Sequence, residues 1–243
     1  MNEIIYLVRR DLHLLKNISL KRAVMYTASV AMLDIFFLLT RSEGLFVRSI
    51  YGVTAEMFRQ EPGLFPYQWL WLQLGAVLTA FDFVREDLYD HSSNVIVKLK
   101  YRASYWISKI LSGAVYCMMI SAFCIAEKIL VMKLFMICES GFIYIETAEI
   151  LKFAVSLLLC VFALFCIYSL LSIILPDIVS FLAVILGICA GLPLGSKIFI
   201  INHIMLCRSN IPEGILYIAA VCIICLLAGV LLLRSRDIIT FER

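Results

Sequence analysis

Charge is what this chain has least of. Asp, Glu, Lys and Arg make up 16% of its 243 residues, against 63% hydrophobic, where a soluble domain carries about 25% and about 45–50% respectively. A soluble fold of this length has no interior large enough for so much apolar surface, which excludes a soluble enzyme, and a disordered chain is excluded by the same composition. The net charge of +3 is too small to draw a polyanion, so a nucleic-acid binder is excluded as well. Histidine is scarce: His13, His91 and His203 fall in separate segments, and no H-E-x-x-H pair occurs. The phosphate-binding G-x-x-x-x-G-K-[ST] is missing. Its nearest approach, Gly191-Leu-Pro-Leu-Gly195-Ser196-Lys197, has one residue too few between the glycines and places Ser196 ahead of the lysine. No G-x-S-x-G nucleophile turn is found. A cleavable leader is not expected either, because the first apolar run, Ile4 to Val8, is cut short by Arg9, Arg10 and Asp11. No catalytic residue and no metal site is therefore expected in this chain.

What is present is long apolar runs. The mean hydropathy is +0.98, and a helix needs roughly 20 mostly apolar residues to cross a hydrocarbon core of about 30 Å. Six stretches qualify: about Ala23–Thr40, Tyr67–Val84, Ile107–Ala126, Phe153–Leu175, Ile178–Ser196 and Ile215–Leu233. They are apolar on all sides, which is unlike the alternating strands of a barrel. The expected architecture is an all-α, polytopic membrane protein with six transmembrane helices, forming a single transmembrane domain over 1–243. Most of the nine cysteines lie inside apolar runs, where a thiol behaves as a small hydrophobe. With the N-terminus inside, thirteen Lys and Arg flank the inner ends of the spans and eight the outer ends. That bias places both termini in the cytoplasm.

The segments between the spans differ in character. Ile4, Val8, Leu12 and Leu15 recur at helical spacing among Arg9, Arg10, His13 and Lys16, so residues 1–22 are expected to form an interfacial helix. That helix is either a membrane-surface anchor or a contact for a cytoplasmic partner. The connection over 85–109 opens with the acids Glu86, Asp87 and Asp90 and closes with the basic, aromatic run Lys100, Tyr101, Arg102, Tyr105, Trp106 and Lys109. It is either a solvated loop or a docking loop. Residues 127–152 are read as an external connection, and the semi-apolar stretch 197–214 as an external hairpin.

Inside the spans, Asp34 lies 12 residues beyond Arg22, about 18 Å at ~1.5 Å per residue. A charge at that depth costs at least ~2.5–3.5 kcal/mol unless it faces protein or water. It is therefore a translocation-pathway candidate or a carboxyl that ties two helices together. Asp82, closer to an end, fits interfacial placement. Gly187, Gly191 and Gly195 recur at a spacing of four ahead of and around Pro193, which reads as a helix-packing groove with a kink. Cys222 and Cys225 form a C-x-x-C pair within the last span, where packing outweighs redox or zinc chemistry.

This layout resembles the type-2 permeases of ATP-binding-cassette exporters. They combine an interfacial N-terminal helix, six spans, a coupling helix between spans two and three, and an external hairpin before span six. Their loop runs acid, Gly-Thr, Leu, Pro-x-Arg, aromatic, Lys. Here Glu86, His91-Ser92, Leu99, Arg102, Tyr105 or Trp106, and Lys109 stand in that order, without the Gly and the Pro. The tail Arg234-Ser-Arg236-Asp237-Ile238 is similar to the family's short basic tail. The resemblance implies coupling to an ATPase through Glu86, Asp87, Asp90, Leu99 and Arg102. It also implies a separate ABC ATPase subunit that binds ATP and magnesium, a second permease copy, and lipid as surroundings. This chain would hold no cofactor of its own and catalyse nothing alone. Amphipathic or hydrophobic cargo such as toxic or antimicrobial peptides is implied, as in the similar exporters of phenol-soluble modulins. The rival classes are a secondary transporter, against which the lack of an internal repeat counts, and a sensor or scaffold.

Overall fold

Residues 1–40 contain neither Gly nor Pro, and nothing in them stops a helix. In the computed structural model, helix α1 runs unbroken over Asn2–Thr40. The structure describes residues 2–40, 43–60, 66–87, 102–138, 146–196, 198–208 and 211–235. At ~1.5 Å per residue α1 is about 58 Å long, close to twice the thickness of a hydrocarbon core. The separate interfacial helix expected over 1–22 is thereby corrected. Lys16, Lys21 and Arg22 are good helix formers that continue the helix rather than break it. Leu7 and Leu15 are buried in the bundle, so the N-terminal half of α1 packs on protein.

Two short helices follow, α2 (Glu43–Tyr51) and α3 (Ala55–Gln60). The second expected span is the chief departure from the sequence reading. It forms a 13-residue helix α4 (Tyr67–Thr79), a turn, and a short α5 (Phe83–Glu86). The longer helices are α6 (Arg102–Cys138), α7 (Thr147–Ser172), α8 (Asp177–Leu194) and α10 (Ile211–Ser235), with the one-turn α9 (Ile201–Ile204) between the last two. Five helices, α1, α6, α7, α8 and α10, are long and apolar enough to cross a bilayer by length and composition. The external connection expected from residue 127 is also corrected. The sequence stays largely apolar past Glu127 and Lys128, and α6 continues to Cys138.

Cross-helix contacts fix the directions. Lys109 of α6 reaches Asp11, and Lys128 reaches Asp34, so α1 and α6 run parallel. Trp71 bonds to Ser29, while Arg22 bonds to the Phe81 carbonyl, so α4 runs antiparallel to α1. Packing of Gly113 on Phe165, and of Lys128 near Phe153, sets α7 antiparallel to α6. Trp106 donates to the Leu226 carbonyl, while Ile215 and Ile218 lie beside Val155 and Leu159, so α10 follows α7. Tyr168 meets Asp177 across the α7–α8 turn, and α8 returns. With the short α4 counted as a pass, successive passes alternate, and the start of α1 and the end of α10 lie at one end of the bundle.

Glycine allows the closest approaches. A Cβ at Gly75 would overlap the Tyr26 ring, one at Gly113 the Phe165 ring, and one at Gly229 the Trp106 ring. Small residues let helices pack this closely in lipid, where apolar surface alone gives them no reason to associate. Tyr105, Trp106, Phe165, Tyr168 and Phe83 are the large side chains of the resulting core.

Candidate functional site

The structure gathers ionisable groups in three places, two of them buried. The first surrounds Asp34. Lys128 Nζ lies 2.6 Å from Asp34 Oδ1 and donates to Ser49 Oγ at 2.8 Å. Asp34 is 0% exposed and Lys128 4%. The ammonium also sits 5.1 Å from the centre of the Phe46 ring. Helices α1, α2 and α6 each supply part of this group. Asp34 Oδ2 and Glu127 Oε1 are buried without a hydrogen-bond partner. The void beside Lys128 measures about 10 Å³, room for one water at most. In this conformation Asp34 therefore faces another helix rather than an open cavity.

The second group lies at the end of the bundle shared by the start of α1 and the end of α10. Arg10 contacts Asp11 and Asp87, each at 2.7 Å. Lys109 Nζ lies 2.6 Å from Asp87 and 3.2 Å from Asp11. Tyr105 donates its hydroxyl to Asp87 at 2.8 Å and Ser108 donates to Asp11 at 2.9 Å. Two cations face two anions, so the group is formally neutral. It is walled by aromatic rings, with Lys109 Nζ 4.0 Å from the Phe83 ring centre. Such a cluster holds only while it is complete, because removing one member strands the rest in a poorly solvated site. Asp11 to Asp34 is about 35 Å along α1 at ~1.5 Å per residue.

The third group holds the break between α4 and α5. Asp82 has φ +70°, a left-handed conformation that Asp adopts more readily than most residues. The freed backbone groups are both satisfied. Arg22 donates to the Phe81 carbonyl at 2.6 Å and contacts the Asp82 carboxylate at 3.2 Å. The Asp82 N–H donates to the Tyr168 hydroxyl, which in turn donates to Asp177. Sequence reading placed Asp82 at an interface and missed that it breaks the helix.

The other sequence candidates are placed as follows. Asp87 belongs to the second group, and Arg102 opens α6. Glu86 ends α5, its side chain outside the described residues, and Asp90 and Leu99 lie outside them altogether. The three glycines do not share one groove. Gly191 packs against Phe199 and Ile201, Gly195 ends α8 with φ +58°, and Gly187 faces open space. Gly195 is the familiar left-handed residue past a helix end. Residues 198–208 fold back onto α8, with Ile201 and Met205 buried. Arg208 fastens this segment through the Val53 carbonyl at 2.6 Å, the Leu192 carbonyl at 3.0 Å and Asn202 Oδ1 at 2.6 Å. Desolvation pulls the Arg208 guanidinium below its ordinary pKa. Cys222 and Cys225 are free thiols.

Sequence reading names Lys109 as the lysine closing the 85–109 connection but not its pairing with Asp11 and Asp87, and takes Lys128 only as part of an external connection. The largely apolar stretch on both sides of Glu127 and Lys128, from Ile110 to Cys138, carried the signal. No protein-family model matches this chain, and no curated protein or solved structure is detectably similar to it. The fold and the site define a multi-span helical membrane protein with buried intramembrane charge.

Proposed function

We propose that this chain is the membrane-spanning permease subunit of an ATP-driven exporter. It works beside a second copy and is driven by a separate ABC ATPase that holds ATP and magnesium. The second pass, broken at Asp82, counts as a crossing in this reading. Contacts from Trp71 at Ser29 to Asp87 at Arg10 run beside about 28 Å of α1, close to a hydrocarbon thickness. Six crossings with both ends in the cytoplasm then agree with the Lys and Arg bias.

The observation that carries the reading is the four-charge group. Asp87 is the last described residue before the 88–101 connection and Lys109 lies in the second turn of α6, which opens at Arg102, and the two meet Arg10 and Asp11 in one buried cluster. A push on that connection by a docked ATPase therefore reaches α1, α5 and α6 together. The cargo in this reading is amphipathic or hydrophobic, in keeping with a bundle that carries little charge. A tagged chain, extracted from its native membrane in mild detergent, tests the reading. An ATPase polypeptide in matching amount, with vanadate-sensitive ATP hydrolysis, is expected. A pure chain without hydrolysis overturns it.

A second reading, a proton-driven transporter, is favoured by the Asp34–Lys128 pair, since intramembrane ionisable groups mark ion and proton pathways. In that case the ATPase-free chain, in proteoliposomes, moves cargo on a pH gradient alone.

A further inference from the structure

A cavity of about 320 Å³ opens between α1, α2 and the start of α4, at the lower end of the ~300–1,000 Å³ usual for small-molecule sites. Its walls are apolar and aromatic, including Leu33, Phe37, Leu45 and Trp69. Its polar lining is Arg48, Ser49, Tyr67 and Gln68. Ser49 accepts from Lys128, which pairs with Asp34, so the cavity lies at the level of the buried ion pair and well beyond Arg22. Arg48 is half-buried and forms no ion pair among the described residues. Gln68 Nε2 is buried without a hydrogen-bond partner. An uncompensated guanidinium at bilayer depth is costly, and here it stands beside an unused amide donor and a greasy wall.

We infer that this cavity binds a single-chain amphiphile with an anionic head, carboxylate or phosphate, the head on Arg48 and Gln68 and the chain along Leu33, Phe37 and Trp69. The Arg48 guanidinium and the Gln68 amide line the site beside the Ser49 and Tyr67 hydroxyls, with no acidic group, which selects a hydrogen-bond acceptor with negative charge. The aromatic and aliphatic wall takes a chain whose burial is driven by its area. The inference stands whether transport is powered by ATP or by protons, because it concerns binding alone.

The full chain in neutral maltoside micelles, released into the gas phase for native mass spectrometry, tests it. The probes are dodecanoate, dodecyl phosphate, phosphatidylglycerol and, as the cationic control, dodecyltrimethylammonium. One-to-one adducts of dodecanoate or dodecyl phosphate are expected, with none of the cation. Arg48→Gln should weaken them about tenfold or more, the loss of one charge-assisted bond, and Arg48→Lys should restore part of the affinity. Leu45→Trp, which adds bulk at the cavity wall and leaves Arg48 in place, should weaken them. Preference for phosphatidylglycerol over the single-chain probes would overturn the single-chain assignment. Equal adducts in Arg48→Gln, or equal adducts with the cation, would show that Arg48 merely reaches for the interface and would overturn the site. If Arg48→Gln fails to fold, Leu45→Trp decides alone: undiminished adducts overturn the site, and weakened ones uphold it.

Discussion

Replacing Lys128 by methionine keeps the length of the side chain and removes its charge. Asp34 is 0% exposed and would keep only its carboxylate, with neither Oδ atom compensated. Stranding one partner of a buried pair costs about 3–5 kcal/mol. Asp34→Asn strands the ammonium instead but leaves it an amide oxygen and Ser49 Oγ as acceptors, so its cost should fall nearer the lower end. The double replacement Asp34→Leu with Lys128→Met strands nothing, and replacing a buried pair by apolar groups is often neutral or stabilising by about 1–4 kcal/mol. The double variant should therefore be more stable than either single one. Unfolding of the full chain in mixed micelles, followed by tryptophan fluorescence across a denaturing-detergent titration, measures all four proteins in one cycle. Single variants within about 0.5 kcal/mol of the parent, the range of ordinary surface changes, would refute the argument. Transport by the same four proteins then separates the two roles of Asp34. If Asp34→Asn assembles normally and transports like the parent, the carboxylate is a tie between helices and not part of the pathway.

Other outcomes follow from the same geometry. Gly113→Val and Gly229→Val should each destabilise by about 1–3 kcal/mol through overlap with Phe165 and Trp106, whereas Gly187→Ala, which faces open space, should gain up to about 1 kcal/mol of helix propensity; thermal melts of the three rank them. Asp82→Gly should leave the fold intact and Asp82→Val should cost about 1–2 kcal/mol, because a β-branched residue resists φ +70°; equal melting temperatures for the two would contradict the break. Asp87→Asn should lower cargo flux per ATP hydrolysed while the chain still inserts, measured in proteoliposomes with the co-purified ATPase. A single cysteine at Ser93, in a background without native thiols, should react only with a reagent admitted to the cytoplasmic side, and labelling from outside alone would reverse the topology.

How much of this was legible beforehand varies by element. The five continuous helices follow from length and hydropathy, and their ends lie close to the expected ones at α7, α8 and α10. The errors came from reading charge as a boundary. Lys21 and Arg22 stand at the boundary of the expected interfacial helix, and Glu127 and Lys128 at the start of the expected external connection, yet Lys, Arg and Glu all extend helices readily. Asp34 was found because its cost is local and shows in one sequence window. Its partner was not, because Lys128 stands 94 residues away and the pairing depends on α1 and α6 lying parallel. The break at Asp82 carries no Gly or Pro to announce it. It is imposed from outside by Arg22 and Tyr168, both distant in sequence. Spacing of the glycines at 187, 191 and 195 was visible, but their separate surroundings depend on how residues 198–208 fold back.

The parallel pairing of α1 with α6 has a mechanical consequence. The two helices are tied at two levels, about 35 Å apart along α1 and about 28 Å apart along α6, by Asp11 with Lys109 and by Asp34 with Lys128. A slip of one residue, about 1.5 Å, would displace both ion pairs at once, and the 2.6 Å hydrogen bond of Lys128 to Asp34 would break. The pair can tilt as one stiff strut but cannot shear. The second pass has the opposite character: its foot, Asp87, is pinned to the strut, while its upper part, α4, joins that foot through the turn at Asp82. Any change in the width of the bundle must then be taken up as a swing of α4 about that turn, with the strut as its fixed post.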